Sequence, residues 1–381
     1  MWWWRPRTLD PSGRFCSNPA GRCATQCGAG TVVVHSRQER RSRCTACGKT
    51  FAAPAGTPFY RRRSAPERGV WVIGLLAHGC PLQAIVAVFG LDERTVAARA
   101  RTAGRHARAV HREPRAPGAV ARCHVQADER WVKRRGRVVW VATAIEAPTR
   151  RWLGAAVARP RDAPLIARPA AQVVACAASG ASLLCVDGFH ADAGVFRAAR
   201  RTPRRTGRRG RPRPVLPDGL QLAQGVKRRT GRIVRALERR VVRGTAAAIT
   251  GVLLATRSGR RIHTADVARF NATLRSRLAP LGRRNRRLLA TDADPSGSVY
   301  LAGVAYNLGR FHAALAHRGP DAAAWTARTP AMAAGLAAHR WTVAELLHHR
   351  PRAVPEPVPH RPPKPRTVDR WAKRAALREA A

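Results

Sequence analysis

Acidic residues are scarce in this chain. Of its 381 residues only 22 are Asp or Glu, against 71 Lys and Arg, and the formal net charge is +49. Such an excess repels itself in a compact state and calls for a polyanionic partner. DNA or RNA fits best, because every neutralised phosphate releases counterions and adds affinity. Ribosomal proteins and binders of acidic membranes carry similar charge, and the abundance of Arg and Ala also fits a GC-rich coding sequence. Long hydrophobic runs are missing too. The longest, "VWVIGLLAHGCPLQAIVAVFGL", is interrupted by His78, Pro81 and Gln83, so no membrane span is expected. A secretory leader is not expected either: "MWWWRPRTL" puts apolar residues before charge, the reverse of a signal peptide. What is present is ample apolar material, 45% of the chain, in a length that suits two to four domains.

Cysteine is unevenly spread. Five of the nine, Cys16, Cys23, Cys27, Cys44 and Cys47, crowd the first fifty residues. In a reducing cytosol that pattern favours a metal site over disulfides. "CTACGKTF" is a Cys-x-x-Cys knuckle whose glycine permits the tight turn that aims two thiolates at one ion, and an upstream pair would close a tetrahedral structural zinc site. Cys23 stands at a usual zinc-ribbon separation from Cys44. Its partner is either Cys16 or Cys27, and the set carried forward is Cys16, Cys23, Cys44 and Cys47. A zinc ribbon over residues 1–60 is expected.

Residues 61–112 contain apolar positions at three- and four-residue spacing through Val70–Leu76, Ile85–Phe89 and from Val96 onward. Gly90 interrupts the second run, and Asp92 is a good N-cap for the third. Helix, short helix, turn and Arg-bearing helix form a helix-turn-helix, in which Arg94, Arg99 and Arg101 would face the major groove or its phosphates. A helical hairpin with a solvated basic face is the plainer alternative. Residues 105–121 carry Pro and Gly with little periodicity and read as a linker.

Beyond the linker the period changes. "ARCHVQADERWV", "RVVWVATAIEA" and "RWLGAAVAR" are three short β-prone runs, followed by a helical stretch over about 162–179 and an apolar strand "SLLCVDGF". Meander, helix and strand make a mixed α/β signature over 120–285. Then comes the Arg-rich, Pro/Gly-punctuated "RRTPRRTGRRGRPRPVLP", a loop whose Arg208, Arg209 and Arg211 would contact phosphate or hook into a minor groove. Strand-like "LQLAQGVKR" and "RIVRALERRVVRG" follow, with helices near 262–278, 296–318 and 331–348. Residues 286–350 read as a C-terminal helical region and 351–381 as a disordered basic, Pro-rich tail.

The informative acids are those in strands. Asp128 lies in the first β-prone run and Asp187 ends the fourth. Two carboxylates converging from adjacent strands repel unless a cation lies between them, and Mg²⁺ or Mn²⁺ takes such hard oxygen ligands. Such a site can polarise a phosphate and activate a water or a 3′-hydroxyl. A simple ion pair with a neighbouring Arg is the alternative for each acid. Glu129 points to the opposite face of its strand and reads as a structural partner.

Taken in order, the zinc ribbon, the helix-turn-helix, "HVQADERWV", "CVDGF", "NATLRSRLAPLGRR", "YNLGRFHAAL" and "TPAMAAGL" resemble a bacterial insertion-sequence transposase with an RNase H-like, integrase-type catalytic core. The likeness covers about residues 14–348. It implies a DDE triad holding two Mg²⁺, with Asp128 bridging both metals, Asp187 holding one, and Asn271 and Arg275 supporting the site or the DNA. It also implies binding to terminal inverted repeats and target DNA, a homo-oligomer on DNA, and a cytoplasmic, nucleoid-associated location. The family's third acid falls at Ala268. At about 100° per residue, Thr264, Ala268, Asn271 and Arg275 share one helical face, and Asp266 lies about 200° from position 268. Glu238, set among arginines, reads as an ion-pair partner. His263 and the irregular first cysteine pair are further departures. The expectation is therefore a DNA-cleaving and strand-transferring enzyme impaired by loss of one ligand, or a non-catalytic DNA-binding remnant or repressor at element ends.

Overall fold

The computed structural model describes residue 16 and residues 32–62, 64–113, 123–134, 137–176, 182–205, 207, 212–231, 233–278, 295–319, 324–352, 354 and 356–359. Three short strands, β1 (Val32–Ser36), β2 (Arg41–Cys44) and β3 (Thr50–Ala52), form a small antiparallel sheet that ends at the cysteine knuckle. Three helices follow. α1 (Pro66–Ala77) begins with a proline, which loses nothing at a position without an intrahelical donor bond. α2 (Leu82–Phe89) stops at Gly90, whose left-handed φ of 57° closes the helix. α3 (Glu93–Arg112) is capped by Asp92, whose carboxylate accepts from the amides of Arg94 at 2.8 Å and Thr95 at 3.3 Å. Val72, Ile85 and Val96 knit the three together as a buried cluster.

α3 corrects the linker expected over 105–121, because the helix runs to Arg112. Its buried Ala103, Ala107 and Val110 repeat at helical spacing, but small side chains make that stripe inconspicuous beside the surrounding arginines. They seat α3 on a later helix, α8 (Pro295–Gly309), so closely that a Cβ on Gly104 would lie 2.7 Å from Gly297 Cα. Residues 114–122 lie outside the described residues.

The six-stranded sheet is mixed. β4 (Cys123–Arg134), β5 (Arg137–Glu146) and β6 (Arg151–Ala158) form an antiparallel meander. α4 (Ala163–Cys176) then leads to β7 (Ser182–Asp187), which pairs parallel to β4. α5 (His190–Ala199) and a two-stranded excursion, β8 (Thr202–Arg204) with β9 (Arg213–Val215), precede β10 (Leu220–Thr230). β10 is parallel to β7 and antiparallel to β11 (Ile233–Arg243), giving the order β11-β10-β7-β4-β5-β6. α6 (Ala246–Ala255), α7 (Ala265–Arg277), α8, α9 (Pro330–Ala333) and α10 (Val343–His348) complete the chain. The single C-terminal helix expected over 331–348 is thus two short helices, parted at Gly335 with φ 68°. The helix expected to reach residue 318 ends at Gly309.

Side-chain alternation along the strands assigns two faces. Val125, Ala127, Leu184 and Val186 pack under α4 and α5. On the other face, Leu183, Cys185 and Ala223 meet α6, while Val132, Val141, Ile145 and Trp152 meet α7 and α8. The last of these clusters also takes in Ile73 and Ala77 of α1, Ala103 and Ala107 of α3, and Leu346 and Leu347 of α10. The segments 61–112, 120–285 and 286–350 therefore share one apolar core. Asn307 secures the sheet edge: its amide accepts from Trp152 N at 2.9 Å and donates to Trp152 O at 2.8 Å, as a neighbouring strand would. The C-terminal end of α3 is met by Glu356 of the tail, 2.9 Å from Arg112, and by His349 just before it, 2.6 Å from the capping Glu113. Residues 360–381 lie outside the described residues. Among the described residues no helix is long and apolar enough to cross a membrane.

Candidate functional site

Parallel pairing of β4 with β7 sets Ala127 opposite Val186, so the next residue on each strand, Asp128 and Asp187, stands side by side on the face covered by α6 and α7. Neighbouring strands are about 4.8 Å apart, close enough for the two carboxylates to feel each other strongly. Asp128 has its pKa pushed up to about 6, first by burial, then by Asp187 and Glu129, against the opposing pull of Arg130 and a hydrogen bond from Asn271. Asp187, at the carboxyl end of its strand, is more open and faces the Lys227 ammonium, whose Nζ is 3.2 Å from Oδ2 and 3.4 Å from Oδ1.

α7 supplies the lid of this pair. Asn271 Nδ2 donates to Asp128 Oδ2 at 2.9 Å, and Asn271 Oδ1 accepts from Thr143 Oγ1 at 2.9 Å. Thr143 is the register partner of Asp128 on β5, so three elements fix one carboxylate. Arg275 follows one helical turn later and is half-buried. Ala268 precedes Asn271 by nearly one turn on the same face and offers no donor or acceptor beyond its backbone.

Neither nearby acid reaches this site as a substitute. Asp266 is buried with its carboxylate engaged by Arg150 and by Gln126 Nε2 at 3.1 Å, while Gln126 Oε1 accepts from the amides of Asp266 and Val267. Glu238 pairs with Val226, on the opposite face of the β10–β11 ribbon from Lys227, and is bound by Arg228 at 2.8 Å and by Arg240. Those guanidinium groups, Arg240 first, hold its carboxyl down to about 2. The ion-pair reading of Glu238 thus matches its surroundings.

Behind the sheet lies a second acid pair that the sequence did not disclose. Glu129 is buried on the α4/α5 face and accepts from Arg161 Nη2 at 2.8 Å. Arg161 is stacked over the rings of Trp140, at 4.7 Å, and Phe189, at 4.0 Å. Asp192, in the first turn of α5, is fully buried, and desolvation together with Glu129 holds its carboxyl well above the usual carboxylate range. Neither of its carboxylate oxygens has a hydrogen-bond partner among the described residues, so no hydrogen bond there offsets the cost of ionising it.

At the N-terminus, Cys16, Cys44 and Cys47 place their sulfurs within 4.8 Å of one another, with Cys16 Sγ 3.4 Å from Cys47 Sγ. Gly48 closes the knuckle at φ 70°, its amide donating to Cys44 O at 2.9 Å. Three converging cysteine sulfurs, two of them buried, are compatible with a structural zinc ion. Cys23, the expected fourth ligand, and Cys27, the alternative to Cys16, lie outside the described residues.

The basic residues divide. Arg94 and Arg101 are exposed on α3, as are Arg62, Arg68 and Arg105 around them. Arg99 is a correction to the groove-facing set: it is buried and donates to Ser64 Oγ at 2.9 Å, because its position on α3 faces the segment preceding α1 rather than solvent. Arg208, Arg209 and Arg211 lie outside the described residues. Lys227 and Thr143 are site residues that sequence reading missed; only the strand registers bring them to the aspartates.

No protein-family model matches the chain, and no curated protein matches it. What fold and site define on their own is a mixed α/β protein with paired, partly buried carboxylates on one sheet face and a cysteine cluster near its N-terminus.

Proposed function

We propose that the chain is a DDE-type insertion-sequence transposase that binds the ends of its element and has lost one catalytic ligand at Ala268. The observation that carries this reading is the pairing of Asp128 and Asp187 under α7, with Asn271 bonded to Asp128 and Ala268 on the same helical face. An antiparallel meander followed by two parallel strands, with an acid on the first strand and another ending the fourth, supports an RNase H-like core. The remaining charge supports nucleic acid as partner.

The donor set fits one divalent cation. Burial and the neighbouring Asp187 carboxylate hold Asp128 up to about 6, a cost that a bound cation would relieve. Mg²⁺ or Mn²⁺ held by Asp128 and Asp187 supplies Lewis-acid polarisation of a phosphate and a more acidic water. A second cation has no third side chain at position 268. The chain's own residues do the rest. Asn271, pinned by Thr143, holds the Asp128 carboxylate in one orientation. Lys227 offsets the charge of Asp187, and Arg275 offers its guanidinium to the phosphate backbone. The helix-turn-helix, through Arg94 and Arg101, holds terminal inverted repeats, two copies of the chain pair two ends, and the zinc ribbon stiffens that module. The absence of a ligand at 268 favours a second reading, a repressor-like remnant that occupies ends without cutting.

Footprinting on DNA from either flank of the encoding gene tests the shared part of both readings. Protection confined to a repeat at the two flanks supports them. Uniform coating of any duplex, with affinity that tracks salt alone, contradicts them.

A further inference from the structure

The β10–β11 hairpin outgrows its sheet. β10 pairs with β7 only from Leu220 to Gly225, the partner of Asp187, yet the ribbon runs on to Thr230 and Ile233. Five more residues of β10 extend it by about 17 Å past Asp187. The residues of its outer strand are exposed or half-exposed throughout, with Arg239 Nε donating to Ile262 O at 3.0 Å. At its tip Ile233 is 59% exposed and Val234 46% exposed. A bare apolar tip on an edge strand invites pairing and is costly to leave unprotected.

The flanks of the ribbon say what covers it. Lys227, Arg228, Arg235, Arg239, Arg240 and Arg243 line the two strands, and the one acid between them, Glu238, is already consumed by Arg228 and Arg240. A second copy of the same edge would set arginine against arginine. A polyanion meets no such cost. Basic strands with an apolar tip suit duplex DNA entered from the minor groove, where apolar wedges part a base step and cations line the adjoining phosphates.

The geometry points to the β10–β11 ribbon as a DNA wedge: Ile233 and Val234 insert at a base step close to the phosphate that a cation on Asp128 and Asp187 would hold, and the flanking arginines grip the backbone. This rests on the transposase reading and adds to it how the scissile end is presented. A reach of about 17 Å spans about five base pairs at 3.4 Å each, so the parted step lies within about five base pairs of the bound phosphate.

The test uses the full chain and duplexes spanning the flank of its gene, with 2-aminopurine substituted at one position at a time. Fluorescence reports unstacking, anisotropy reports affinity, and sedimentation of the free protein reports self-association. The ribbon's exposed tip can be changed without touching the core, so the variant is I233S/V234S. The native chain is expected to raise 2-aminopurine emission severalfold at one step. The variant should return it to the free-duplex level while losing no more than about threefold in affinity, since phosphate contacts dominate binding. Tight binding with no unstacked position, or a variant that keeps the full signal, overturns the wedge while leaving end binding intact. A free protein that is a dimer natively and a monomer as I233S/V234S also overturns it, by assigning the ribbon to self-pairing. Failure to bind any flank duplex overturns both the wedge and the function on which it rests.

Discussion

Asp128→Asn should stabilise the protein at neutral pH and do nothing for it in acid. Burial and two neighbouring acids lift the Asp128 carboxyl from 3.8 to about 6. At about 1.36 kcal/mol per pKa unit, that rise is about 3 kcal/mol of disfavour for the charged form in the folded state. Below pH 3.8 the group is neutral whether the chain is folded or not. Between that value and about 6 only the unfolded chain ionises, so stability falls through this window and stays lower above it. An asparagine removes the titration, and its Oδ1 still accepts from Asn271 Nδ2. Allowing for local relaxation, the gain near neutral pH is about 1–3 kcal/mol, or roughly 2–5 °C in melting midpoint for a cooperative unit of this size. Thermal melts of both proteins from about pH 4 to pH 8 in chelator would measure it, with the two curves meeting at the acid end. Mg²⁺ at about 100 times its Kd should then lift the native protein by about 2.7 kcal/mol and leave the variant where it was. A variant less stable than the native chain at neutral pH, or a gap that does not change with pH, would refute a strained Asp128.

Other perturbations separate the remaining parts. Cys44→Ser should abolish stoichiometric zinc in a metal assay of the purified protein and expose the β1–β3 segment to proteolysis, because the metal supplies its folding energy. Glu129→Gln breaks the ion pair with Arg161 and should cost about 3–5 kcal/mol in denaturant unfolding, whereas Asp192→Asn replaces an acid whose charged form burial and Glu129 already disfavour and should cost about 1 kcal/mol. Gly104→Ala drives a methyl into Gly297 and should cost about 1–3 kcal/mol or more, with α3 and α8 parting first in hydrogen exchange.

Much of the site was legible because its spacing is local. The alternation of "HVQADERWV" sends Asp128 and Glu129 to opposite faces, and the structure puts Asn271 on one and Arg161 on the other. The helical phase of "HTADVARFNATLR" separated Ala268 and Asn271 from Asp266, which is where α7 leaves them. Interactions that depend on register were not legible. Lys227 reaches Asp187 only because β10 pairs with β7 in parallel, and Asp192 meets Glu129 only after α5 folds onto the sheet. α5 and α6 leave little trace in the sequence, the first short and beside an Arg-rich stretch, the second an Ala-rich run with little amphipathic contrast. The burial of Arg99 is not legible in sequence, because a guanidinium on a basic helix looks solvated until a neighbour such as Ser64 meets it.

The central claim is that one side chain separates this protein from a working enzyme, and end cleavage tests it most directly. A labelled duplex from the gene's flank, incubated with Mg²⁺ or Mn²⁺, would be exposed to the native chain and to Ala268→Glu. Cleavage by the Glu variant alone is the expected result, since ligands of such a site act as a unit and one missing acid removes orders of magnitude in rate. Equal cleavage by the native chain would contradict it, because another group would then be supplying the third ligand and the face of α7 assigned to Ala268 would be the wrong one.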